Sequence, residues 1–122
     1  MLQISETAKE KIRGQFPIFQ EAAHAFYAKE LPPGKYKGTS GKFGSYGERG
    51  ANSSMLRLRF SGGAISQAHM AFLAQAIDKY QVTLAHFTTG EALQLHHLGE
   101  QTVLNLYQDC FNQGIYCAGA GG

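Results

Sequence analysis

The sequence predicts an α+β fold: a β-α-β-β-α order closed by a short final strand, preceded by a helical leader and a glycine-rich loop. Three observations carry the prediction. Residues 55–60 alternate strictly between apolar and polar side chains, as a half-buried strand does. Two later segments repeat apolar residues at helical spacing, and between them lie two more short alternating runs. Elements in this order give a layer of helices on one face of a sheet.

In the leader, Ser5 can cap a short helix that Gly14 ends. Pro17 suits the first turn of a second helix, in which Phe19, Ala22, Ala23, Phe26 and Tyr27 form one apolar stripe. Leu31-Pro32-Pro33-Gly34 stops it. The stretch up to Ser54 is rich in glycine and lysine, with Tyr36, Phe43 and Tyr46 spaced through it, and reads as a loop that orders on contact. Two units are therefore expected, a leader and loop over 1–54 and an α+β unit over 55–122.

From Met55 the pattern changes to MLRLRF, a strand ended by Ser61-Gly62-Gly63. Ser66 caps a helix with the stripe His69, Phe72, Leu73, Ala76, Ile77 and Tyr80. Residues 83–88 form the second strand, and Gly90 and Glu91 connect it to a third, ALQLHH. Gly99 precedes a helix that turns Val103, Leu106, Tyr107, Cys110 and Phe111 inward, and Gly114 is suited to its C′ position. Residues 115–117 are the short last strand.

The 122 residues are enough for one ordinary domain, and 43% apolar content with 16% charged suits a packed core rather than disorder. No apolar run reaches the roughly 18–20 residues of a membrane span, and the N-terminal residues lack the apolar run of a secretory signal. Two cysteines, Cys110 and Cys117, are too few for a disulfide scaffold or a four-thiolate cluster, so a reducing, cytoplasmic setting and structural thiols are expected. The net charge of +2 says little about partners, but its distribution is informative. Between Lys35 and Arg59, Lys35, Lys37, Lys42, Arg49, Arg57 and Arg59 face a single acid, Glu48, and six of the 15 glycines fall between Gly34 and Gly50. That combination describes a local anion-facing surface.

Strand parity locates this surface. If Leu56, Leu58 and Phe60 face the helices, Arg57 and Arg59 face away; if Leu93 and Leu95 do, Gln94 and His96 join them. The second strand is ambiguous between Leu84 with His86 and Ala85 with Phe87. Two guanidinium groups, an amide and an imidazole suit carboxylates or small oxyanions. The pattern alone also fits a merely solvated face.

Other chemistries find less support. His86, His96 and His97 could approach one another as a metal site. Adjacent strand residues point to opposite faces, however, and no cysteine or carboxylate is placed to complete the set, so no metal is expected. An RNA-recognition motif needs base-stacking aromatics on the open strand faces, where this chain has Arg57, Arg59, Gln94 and His96, so neither nucleic acid nor membrane is an expected partner. No serine or cysteine has a positioned base beside it.

The runs KFGSYGERG, LRLRFSGG, HFTTGEALQLHHLG and GAGG, in this order, resemble the N-terminal ferredoxin-like half-domain of siroheme-dependent nitrite and sulfite reductases. The resemblance covers nearly the whole chain, including RGQFP in the leader. It implies a ferredoxin-like half-domain within an oxidoreductase that carries siroheme and a [4Fe–4S] cluster. In such a protein Arg57 would point at the anionic substrate and stabilise its developing charge. Arg49, Arg59, Gln94 and His96 would contact the cofactor. The turn Thr88-Thr89-Gly90-Glu91 stands where the family usually has Thr-Thr-Arg-Gln, so one carboxylate-gripping guanidinium is replaced. The family's cluster cysteines lie beyond a GAGG-like segment. This chain alone is therefore expected to be inactive, to hold no cofactor by itself, and to need the rest of the reductase polypeptide. An exposed sheet edge would favour homodimers of the isolated chain. The alternative is a stand-alone ferredoxin-like binding or assembly module for an anionic ligand or, less favoured, RNA.

Overall fold

The computed structural model describes residues 6–48, 52–59, 66–87, 92–115 and 117. Its elements run α1 (Glu6–Tyr27), α2 (Pro33–Ser40), a 3-10 turn (Gly41–Phe43), β1 (Ser45–Gly47), β2 (Ser54–Arg59), α3 (Gln67–Lys79), β3 (Leu84–Phe87), β4 (Ala92–Leu98) and α4 (Glu100–Asn112). The four strands form one antiparallel sheet in the order β1-β2-β4-β3. β2 and β3 flank β4 and run parallel to each other, with α3 as the crossover between them. This is the expected β-α-β-β-α order. Among the described residues the last strand is represented by one bridge, Cys117 beside Leu58.

The leader differs from expectation. α1 is continuous through Gly14 and Pro17. An interior proline costs about 3 kcal/mol, but burying a phenylalanine returns about 1.5–3 kcal/mol, and Phe19 and Phe26 are both buried. Phe19 stacks on Phe43 at 4.8 Å and meets Tyr107 edge-on at 5.3 Å, while Phe26 stacks on Tyr36 at 4.5 Å. Continuous packing therefore outweighs the two helix breakers. The proposed cap Ser5 lies outside the described residues.

The glycine-rich loop is also more structured than its composition suggests. It contains α2, the 3-10 turn and β1, and its aromatics Tyr36 and Phe43 are core residues rather than ligand contacts. Pro33 at the start of α2 has the φ a first helical turn needs. Two buried hydroxyls then join α2 to β1: Ser40 Oγ donates to the Ser45 carbonyl at 2.6 Å, and Tyr36 shares a 3.2 Å hydrogen bond with Ser45 Oγ. Gly44, at φ 77°, turns the chain so that its carbonyl accepts from the Arg57 N–H at 2.9 Å. Leader, loop and α+β unit contribute to one cluster of buried side chains, which includes Phe19, Tyr36, Leu56, Leu95, Leu106 and Tyr107.

The later elements follow the sequence closely. Ser66 Oγ accepts from the His69 N–H and caps α3, which buries Leu73 and Ala76. Tyr80, the residue that follows α3, donates to Asp109 on α4, and burial together with this acceptor pushes the Tyr80 phenol up to about 12. α4 ends in a Schellman motif: Gly114 (φ 78°) donates to Phe111 O, and Ile115 donates to Cys110 O and is itself buried.

One glycine is required by close approach. A Cβ on Gly47 would lie 2.6 Å from the ring of Phe26, which is stacked on Tyr36. Gly47→Ala is expected to destabilise the protein by about 1–3 kcal/mol, read as a lowered midpoint in thermal unfolding; an unchanged midpoint would show that Phe26 can give way.

Candidate functional site

Pairing in the sheet decides which side chains share the open face. Leu56 lies opposite Leu95 and Leu58 opposite Leu93, all four buried on the helical side. Arg57 is the direct partner of Gln94, and Gln94 in turn of His86. Arg57, Gln94 and His86 thus form a row across three strands, with Arg59 exposed one step further along β2. The ambiguous second strand resolves in the same way: Leu84 pairs with His96, and Leu84 and His86 face out with it. All four β3 residues are exposed, including Phe87 at 58% on the helical side.

Arg57 is half-buried, with its guanidinium 5.3 Å from the ring centroid of Tyr46. Its Nε is fully buried and has no hydrogen-bond partner among the described residues. Leaving such a donor unpaired costs about 1–3 kcal/mol.

Beside Arg57 a carboxylate gathers the histidines. Glu48, just after β1, has a side chain about 20% exposed. Its Oε2 accepts from His96 Nδ1 at 3.0 Å; its Oε1 accepts from Ser53 Oγ at 2.7 Å and from the His97 N–H at 3.0 Å, with His97 Nδ1 at 3.4 Å. Burial alone would raise the Glu48 pKa. The hydrogen bonds from Ser53, His96 and His97 outweigh it and hold the carboxyl below its ordinary value. His96 Nε2 continues the chain to Gln94 Oε1 at 3.0 Å, and His86 stacks on the His96 ring at 5.1 Å.

This convergence corrects the sequence reading, which set His96 and His97 on opposite faces with no carboxylate nearby. β4 carries a bulge there: the register steps from Leu56↔Leu95 to Ser54↔Leu98, leaving His96 and His97 both opposite Met55. His97 takes φ 61°, which lets it reach the same carboxylate as His96. Among the described residues no three His, Cys, Asp or Glu side chains are placed to hold a metal ion. Glu48, Ser53 and Tyr46 were not anticipated as site residues. The sequence signal for Glu48 was its being the lone acid in a basic segment.

Of the expected site residues, Arg57, Gln94 and His96 come together, and Arg59 shares their face. Arg49 and the turn at 88–91 lie outside the described residues. Cys110 and Cys117 are buried free thiols. Burial pushes Cys110 up to about 12 and Cys117 well above the ordinary thiol value. No helix of the described residues is long and apolar enough to cross a membrane.

Among known proteins, the family model of the nitrite/sulfite reductase ferredoxin-like half domain matches residues 46–110, more than half of the chain and a span that includes Tyr46, Glu48, Arg57, Gln94 and His96. No curated protein and no solved structure matches.

A depressed carboxyl contributes stability that is full above its unfolded value, near 4.5, and lost as pH falls through its folded value. Acid titration of wild type and Glu48→Gln, followed by far-UV circular dichroism, is expected to show a shallower stability loss below pH 4.5 in the variant. Superimposable acid limbs would mean that Glu48 is not held as described.

Proposed function

The chain belongs to the family of nitrite/sulfite reductase ferredoxin-like half domains, and from that premise we propose that it supplies one anion-binding face of a siroheme-dependent nitrite or sulfite reductase. In this reading it is the N-terminal half-domain and works together with the rest of the reductase polypeptide in the cytoplasm.

The observation that carries the proposal is the half-buried Arg57 guanidinium on the open face, next to the Gln94 amide. These residues fit an acidic macrocycle or a small oxyanion. The Arg57 guanidinium offers forked donors and a charge that low-dielectric surroundings strengthen. Gln94, whose oxygen is engaged by His96, retains its amide N–H groups for a ligand acceptor. Arg59 provides a second cation at the rim. Bound siroheme would supply the iron at which the oxyanion is reduced. Towards it, Arg57 orients an oxygen and offsets negative charge as it builds.

The cysteines do not fit a [4Fe–4S] cluster. Such a cluster takes four cysteine thiolates, and the sequence holds only Cys110 and Cys117. Cluster ligands would therefore come from elsewhere in the polypeptide, and the chain alone would not turn over substrate.

Siroheme gripped from one face alone would bind weakly and exchange rapidly. Titrating siroheme into ¹⁵N-labelled chain is expected to shift the Arg57 Nε–H and Gln94 side-chain signals, and Arg57→Gln is expected to abolish the shifts. Siroheme shifts that leave these two residues unmoved would overturn the proposal.

The uncovered β3 edge, with Leu84 at 43% and Phe87 at 58% exposure, is proposed to pair with a second copy when the chain is isolated. Sedimentation equilibrium is expected to detect dimers that Phe87→Glu disperses, whereas a strict monomer at high concentration would count against this pairing.

A further inference from the structure

Tyr46 extends the open face to the outer edge of the sheet. Its neighbour Ser45 pairs with Leu56, and both are buried on the helical side. Strand alternation therefore turns Tyr46 the other way, where its ring meets the Arg57 guanidinium at 5.3 Å. With Tyr46, the row of Arg57, Gln94 and His86 gains a member from β1 and reaches across all four strands.

The row continues beyond the sheet onto α2. A Cβ at Gly41 would stand 3.5 Å from Tyr46 Cε1, 4.0 Å from the Tyr46 hydroxyl and 3.9 Å from Lys37 Cγ. The half-buried tyrosine and the exposed lysine therefore flank one bare patch of backbone. Gly41 has an ordinary helical φ of −59°, and a Cβ there would make ordinary contacts, so the backbone does not require glycine. What a side chain would take up is the space between Lys37 and Tyr46. The hydrogen bonds of Ser40 and Tyr36 to Ser45 hold α2 against β1 and fix this arrangement. Two cations thus border Tyr46, Arg57 at its ring and Lys37 beside its hydroxyl end. Strands lie about 4.8 Å apart, so a cation just outside β1 stands about 10 Å from one on β2. The only acid between Lys35 and Arg59 is Glu48, and its oxygens meet Ser53, His96 and His97 instead.

We propose that Lys37 and Tyr46 form a second acid-binding position beside Arg57, so that the open face takes a ligand with two separated acid groups, a di- or polycarboxylate. One small oxyanion cannot reach both cations. Arg57 faces one acid group of the ligand. Lys37 faces the next, to which the Tyr46 hydroxyl can donate. The proposal rests on the siroheme reading for the ligand's identity and deepens it: of the two kinds of ligand that Arg57 and Gln94 fit, this spacing favours the acidic macrocycle. Gly41 keeps the gap between the two side chains open to the second acid group.

Two rigid probes titrated into the ¹⁵N-labelled full chain test this. The para,para′-dicarboxylate of biphenyl carries acid groups at a matching separation, and the monocarboxylate carries one. The diacid is expected to bind about fivefold more tightly, the scale of one exposed ion pair, and to shift the Gly41 N–H, which the monoacid leaves in place. Lys37→Gln should reduce that advantage to the roughly twofold that two equivalent ends give, with the monoacid affinity unchanged. Gly41→Glu sets a competing carboxylate between Lys37 and Tyr46 and should do the same, its far-UV circular dichroism remaining that of the wild type. Siroheme affinity is expected to fall in both variants. A diacid no better than its two ends explain, failure of both probes to bind, or an advantage that persists in Lys37→Gln overturns the proposal. If siroheme binding proves independent of Arg57, the functional reading fails, and the two probes still decide the role of Lys37.

Discussion

Leu56 and Leu58 of β2 face Leu95 and Leu93 of β4, and all four side chains are buried beneath the helices. Each contributes about 1.5–3 kcal/mol by leaving water. A slip of one residue would send an entire set to the solvent side. Their summed burial is comparable to the whole stability of a typical domain, about 5–15 kcal/mol, so the register has no competitor. Everything on the open face follows from this constraint. Arg57 and Gln94 stand side by side because the leucines flanking them must be buried. Hydrophobic burial thus determines the geometry of the Arg57–Gln94–His86 row, whose own polar contacts are individually weak.

The second determinant is the bulge at His96 and His97. A non-glycine residue at positive φ costs about 1–2 kcal/mol, and His97 adopts 61°. Its N–H recovers part of this in the charge-assisted bond to Glu48. On the far side of the bulge, Tyr27 of α1 donates to the Leu98 carbonyl at 2.6 Å and shares a 2.7 Å bond with Ser54 Oγ. It therefore grips the first pair of the resumed register, Ser54 and Leu98. Helix α1, which looked like a separate leader, secures the strand irregularity that brings a carboxylate to the site.

Coverage of the sheet is uneven. β2 and β4 are buried on their helical side, whereas β3 is exposed along its length. α3 leans on α4 through Tyr80, Asp109, His69 and Gln113. Its buried residues, Leu73 and Ala76, belong to the common cluster.

The sequence by itself determined the periodic elements: β2, β4, α3 and α4, the Ser66 cap, the Gly114 stop, and the outward side of Arg57, Gln94 and His96. These follow from spacings of two and of 3.6 residues, which are local and repeat within a single element. Only the tertiary structure decided what depends on contacts between distant segments. α1 runs through Gly14 and Pro17 because Phe19 and Phe26 find Phe43, Tyr107 and Tyr36. The glycine-rich stretch becomes helix and strand because Tyr36, Ser40 and Phe43 are buried against the same core. Glu48 meets His96 across 48 positions of chain, through a bulge that adds one residue to one strand and not to its partner. Such an insertion leaves the alternation on either side intact, so no local pattern announces it.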